Sequence, residues 1–61
     1  MNDRDLWTIE AMEEMGGSFV QQLAALARHA DPTNLELIKQ TWSVYWAEYE
    51  EWGKKLEKER T

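Results

Sequence analysis

The sequence predicts an all-α protein, built as an antiparallel helical hairpin or a three-helix unit. Three observations lead there. Breakers are few, with one proline (Pro32) and three glycines (Gly16, Gly17, Gly53) in 61 residues. No stretch alternates apolar and polar residues for long enough to make a strand. Both halves of the chain carry apolar residues at alternating steps of three and four, the heptad rhythm of helices that pack lengthwise.

The helices fall at about 4–15, 18–30 and 33–58. In the first half the rhythm runs through Ile9, Met12, Gly16, Phe19, Leu23, Leu26 and Ala30, passing straight through Gly16-Gly17. That pair has two readings. In one the helix is continuous, the absent side chains leave a hollow for a ring from the facing helix, and the two glycines cost about 2 kcal/mol relative to alanine. In the other, which the following Ser-Phe-Val-Gln favours, a glycine ends the first helix, Ser18 caps the second and Gln21 completes a capping box.

Asp31-Pro32-Thr33-Asn34 punctuates the middle of the chain. Either Asp31 caps with Pro32 at the first helical position, or Thr33 caps with Glu36 three residues on. Beyond it, Leu35, Ile38, Trp42, Tyr45, Tyr49, Trp52 and Leu56 repeat the steps of three and four. One long helix is expected here, carried across Gly53 by the pairs Glu50/Lys54 and Glu51/Lys55 at about 0.3 kcal/mol each, with its last residues frayed. Folding the chain at 31–33 opposes residues whose numbers sum to about 65, so that Gly16 meets Tyr49, Met12 meets Trp52 and Ile9 meets Leu56. Large then faces small, and a thioether faces an indole.

Trp46 does not fit this seam. It lies about 70° from the seam's midline, while Leu37 and Val44 lie about 130° away on the other side. Trp7 cannot share the direction of its neighbour Leu6. One reading leaves Trp46 and Trp7 half-buried with their indole N–H groups in water. The other makes them part of a second buried surface, most simply in a homodimer that completes a helical bundle.

Size strengthens the case for self-association. A single domain of about 60 residues buries only about 60% of the surface of its unfolded chain, and small folds usually need a disulfide, a metal, oligomerisation or dense packing. With no cysteine and one histidine, the first two are unavailable. A hydrophobic fraction of 43% argues against disorder, and the longest uncharged run, Met15 to Ala27, is too polar for a membrane span or a signal-peptide core. A soluble cytoplasmic protein is expected. The net charge of −5, with acids and bases interleaved, disfavours direct contact with a phosphate backbone.

Chemistry is sparse. Glu10, Glu13, Glu14 and Glu48, Glu50, Glu51 are acidic clusters without the inward Glu-x-x-His repeats of a bundle metal site. His29, in the last turn before Asp31-Pro32, suits the terminal carbonyls of its helix better than catalysis. No phosphate-binding loop follows a strand. No catalytic, cofactor or metal residue is assigned, and no enzyme is expected.

At GGSFV, HADPTN and WSVYWAEYE the sequence resembles small acidic helical proteins encoded by tailed bacteriophages and prophages, over about residues 7–50. The resemblance implies a bacterial cytoplasm and binding or blocking of a host component, and it brings no catalytic residues. The expected function is a non-enzymatic interaction module in which Trp46, Trp7, Leu37 and Val44 supply apolar contact and Glu48, Glu50 and Glu51 steer a basic partner. The alternative is a nucleic-acid-linked regulator, either a DNA mimic or a helix-turn-helix-like dimer reading with Gln21, Gln22 and Arg28.

Overall fold

The computed structural model describes all 61 residues. It is entirely helical, with four helices: α1 (Asp3–Met15), α2 (Ser18–His29), α3 (Pro32–Thr41) and α4 (Ser43–Arg60). The sequence expectation differs in two respects, namely where the third helix ends and how the last helix is oriented.

The first two boundaries follow local chemistry. Asn2 caps α1, its side chain accepting from Asp5 N at 2.8 Å. The chain breaks at Gly16-Gly17, both in extended conformation with negative φ. Gly16 is required there for space. A Cβ would run into Val20 Cγ1 and would lie 2.6 Å from Met12 O. Gly17, not Ser18, takes the N-cap position of α2, and no side chain caps it. Gln21 instead reaches back, donating from Nε2 to Gly16 O at 2.9 Å. Asp31 is the cap of α3, accepting from Asn34 N at 2.8 Å with Pro32 in the first turn.

The expected long helix 33–58 is interrupted at Trp42, whose φ of −111° and ψ of 40° lie outside the helical range. Thr41-Trp42-Ser43-Val44 is a run of β-branched, aromatic and hydroxyl residues of modest helix propensity. The interruption is a bend and not a loop, because Trp42 N still donates to Ile38 O and Trp46 N to Trp42 O, both at 2.9 Å. Past the bend the buried residues are Trp46, Gly53 and Leu56, with Tyr49 half-buried. The inward face of α4 has therefore turned by roughly 50° from the expected seam, at 100° per residue. Trp42, Tyr45 and Trp52 are left on the surface.

The antiparallel pairing of the two halves is overturned as well. Gly53 lies against the Trp7 and Thr8 backbone, and Arg60 pairs with Glu14 and Glu10. Residue numbers rise together along the two helices, so α4 runs parallel to α1. α1 also packs against α2, and α3 meets α1 where Lys39 pairs with Asp5. α4 reaches Arg60, two residues past the expected end, held there by that ion pair.

Contact between α1 and α4 is close because the residues there are small. A Cβ on Gly53 would lie 2.8 Å from the Trp7 carbonyl group and 2.9 Å from Thr8 N. Thr8 and Ala11 are fully buried, and the Thr8 hydroxyl is satisfied by donating to Arg4 O at 2.8 Å. The apolar core joins Ile9 and Met12 of α1, Val20, Leu23, Ala24 and Ala27 of α2, Leu35 and Ile38 of α3, and Trp46. The accessible surface, 4075 Å², agrees with the roughly 4,100 Å² that the area–mass relation gives for a compact chain of this mass. Exposed rings on this protein are thus not a consequence of loose packing.

Two glycine substitutions separate these roles. Gly53→Ala is expected to lose about 2 kcal/mol, overpacking against backbone outweighing the gain of about 1 kcal/mol in helix propensity. Gly17→Ser, with no atom within 4 Å of the added Cβ, is expected to gain about 1 kcal/mol by adding a cap and stiffening the unfolded chain. Thermal unfolding of the two variants checks both signs.

Candidate protein-docking face

α2 buries two alanines, Ala24 and Ala27, while leaving two of its large apolar side chains exposed. Val20, Ala24 and Ala27 face inward with Leu23, while Phe19 and Leu26 are 51% and 58% exposed. That is the reverse of what burial of apolar area favours in an isolated helix. The outward side chains do not stand alone. Phe19 meets the edge of Trp42 with ring centroids 5.3 Å apart, and Tyr45 completes the cluster at 5.7 Å from Phe19 and 6.4 Å from Trp42. Leu37 of α3, 54% exposed, continues the same surface.

Two hollows shape this face. One, of about 280 Å³, lies between α2 and α3 and is lined by Leu26, His29, Ala30, Asn34, Leu37, Ile38, Thr41 and Trp42. The other, of about 210 Å³, is lined by Phe19, Gln22, Leu23, Leu26 and Trp42. Leu26 and Trp42 line both, so they form the ridge between them. Neither hollow contains an Asp, Glu, Lys or Arg, in a chain where 31% of residues are charged. His29 contributes a ring already committed to its own helix, Nδ1 donating to Ala25 O at 2.8 Å.

The residues expected to bind a partner are dispersed. Trp46 is the correction: at 4% exposure it belongs to the core and is not available as a contact, because the bend at Trp42 turns it inward. Its indole N–H finds no hydrogen-bond partner, and Lys39 Nζ lies 5.8 Å from its ring. Leu37 lies on the docking face. Val44 is 79% exposed and lines no hollow. Glu48 is exposed and Glu50 half-buried. Glu51 pairs with Lys54, three residues on, at 2.9 Å, instead of with Lys55, which sits over Trp52 at 4.4 Å. Phe19, Leu26, Trp42 and Tyr45 were missed because their heptad spacing marks them as interior. The sequence signal that could have found them is the alternative stripe Val20, Leu23, Ala24, Ala27 on α2, which packs as well with smaller residues.

Trp7 lines a separate cleft of about 440 Å³ with Asp3, Leu6, Glu10, Arg28 and Arg60. Its rim is an ion-pair ladder. Arg28 donates to Glu13 Oε1 at 2.8 Å and Glu10 Oε2 at 3.1 Å, and Arg60 takes Glu14 and the other oxygen of Glu10. The ladder ties α2 and α4 to the two sides of α1. The Arg28 hydrogen bond holds the Glu13 carboxyl below the ordinary carboxylate range, against the opposing effect of burial. Arg60 does the same for Glu14. Arg28 is therefore already engaged within the chain, and Gln21 is tied to Gly16 O, which removes two of the three side chains named for a DNA-reading helix.

No three His, Cys, Asp or Glu side chains converge to hold a metal ion, and no helix is long and apolar enough to cross a membrane. Comparison with known protein families, with curated proteins and with solved structures finds no match.

Two expectations follow. Trp46→Ala, which leaves a cavity in the core, is expected to cost 3–5 kcal/mol, roughly, and to unfold a chain of this size, whereas Trp42→Ala is expected to cost about 1 kcal/mol or less; denaturant titration distinguishes them. Glu13 and Glu14 have folded pKa values lowered by their hydrogen bonds to Arg28 and Arg60, so their contribution is present at neutral pH and lost as pH falls below about 5. Stability measured between neutral and acid pH should decline less steeply in Glu13→Gln than in the native chain.

Proposed function

We propose that this protein is a small non-enzymatic protein-protein interaction module, and that its working surface is the uncharged aromatic face formed by α2, α3 and the start of α4. The observation that carries this reading is the exposed cluster itself, with Phe19 and Leu26 of α2 held outward beside Trp42, Tyr45 and Leu37 while Ala24 and Ala27 are buried. The largest apolar patch on a compact monomer is often its functional surface. Aromatic anchors around shaped hollows with an uncharged polar rim are the composition of an interface centre. Two occupants of the face are compatible with this reading: a second copy in a helical-bundle dimer, and a host component in the bacteriophage setting that the sequence resemblance implies.

If the face exists for docking, polar substitutions on it leave the fold intact. Phe19→Ser and Leu37→Ser are each expected to change stability by less than about 1 kcal/mol and to retain native helical circular dichroism. Losses comparable to that of Trp46→Ala would place these side chains in the structural core and remove the reading.

A further inference from the structure

We propose that the occupant of this face is a second copy of the same chain, docked about a two-fold axis that passes beside Leu26. The inference rests on the docking reading above and names its partner. Three properties of the face lead to it.

The first is charge. The chain carries a net charge of −5, and two copies repel wherever charged surfaces meet. The two other hollows of the molecule are lined by ionised side chains, among them Glu10 and Arg28 in one and Asp5 and Lys39 in the other. The hollows on either side of Leu26 and Trp42 contain none. A strongly acidic or basic partner would find nothing to pair with there. An identical copy meets no like charge.

The second is shape. A two-fold contact needs a surface complementary to itself, since each patch meets its own image. A ridge flanked by hollows has that property. Leu26 and Trp42 of one copy seat in a hollow of the other, and the reciprocal contact forms at the same time, with the two Leu26 side chains close to the axis.

The third is area. Phe19, Leu26, Leu37, Trp42 and Tyr45 are between 36% and 58% exposed, which at about 200 Å² per side chain leaves roughly 500 Å² of mostly apolar surface to bury. The exposed uncharged side chains between them, Gln22, His29, Asn34 and Thr41, add to this area, against the ~800 Å² per partner typical of a stable interface.

The test is the molar mass of the full chain by sedimentation equilibrium over about 5–500 μM, a range spanning ordinary dissociation constants. The native protein is expected to reach twice its 7.2 kDa, and its association should tighten as salt screens the net charge. Leu26→Asp and Leu26→Lys should each remain folded by circular dichroism and dissociate at least about 30-fold more readily, from the cost of burying a charge at the axis. Mixed in equal amounts, the two variants should form a heterodimer. Leu37→Asp provides a second site if either fails to fold. A native protein that stays at monomer mass throughout, association weakened by salt, or mixed variants that remain monomeric would each overturn the proposal. A photo-crosslinker placed at Leu26, with Lys58 as the control position, separates this failure from that of the docking reading. A monomeric chain that crosslinks from Leu26 to a different protein loses the second copy but keeps the docking face. A monomeric chain that crosslinks from neither position loses both.

Discussion

The close approach of α4 to α1 at Gly53 is the constraint on which the rest of the structure depends. With no side chain at 53, the backbone of α4 lies against the peptide between Trp7 and Thr8, and the neighbouring positions on α1 are the small residues Thr8 and Ala11. Two helices at that separation have no room for rings between them. The aromatic residues on either side of Gly53 are displaced as a result. Trp52 moves to the surface, where its ring carries Lys55, and Trp46, one turn before Tyr49, enters the core near Lys39. The bend at Trp42 lets α3 keep Leu35 and Ile38 inside while α4 presents this rotated face.

The same geometry explains the outer surface. With Trp46 in the core, α2 contributes Val20, Leu23, Ala24 and Ala27 to it, and Phe19 and Leu26 fall on the opposite side. Phe19 and Leu26 then meet Trp42 and Tyr45, themselves expelled by the rotation of α4. The docking face is thus assembled from side chains displaced by the packing of the core, collected from three helices. Ion pairs take no part in it. They are concentrated along α1, where Glu10, Glu13 and Glu14 connect Arg28 and Arg60, and at the Asp5–Lys39 contact. The exposed pairs along α1 add little stability individually, and their geometry suits them better to setting the relative rotation of the helices, whereas Asp5 is buried. The ion pairs along α1 and the uncharged aromatic cluster of α2, α3 and the start of α4 are thus separate features of the surface.

A period-3.6 pattern states that a helix has an apolar side and leaves open which of two overlapping stripes faces inward when both are apolar. Residues 42–56 contain two such stripes, one through Trp42, Tyr45, Tyr49 and Trp52 and another through Trp46, Tyr49, Gly53 and Leu56. Size favours the first as interior, because larger side chains gain more from burial. Steric closeness selects the second, and nothing local to the sequence reports how near the facing helix will come. The same ambiguity on α2 hid Phe19 and Leu26. Of the residues expected at an interface, Leu37 lies on the face and Trp46 does not, for this reason.

What the sequence determined by itself is the local structure. Helical character and the places where the chain is punctuated, Gly16-Gly17 and Asp31-Pro32, follow from backbone sterics and short-range hydrogen bonds, which act within a few residues, and the structure chose between the two readings at each, a break at the glycines and Asp31 as the cap. Only the tertiary structure decided that α4 runs parallel to α1, which indole is buried, and which aromatic rings remain outside. Those outcomes depend on one helix meeting another across 45 residues of chain at Gly53 and Thr8, where the absence of a single methyl group sets the separation.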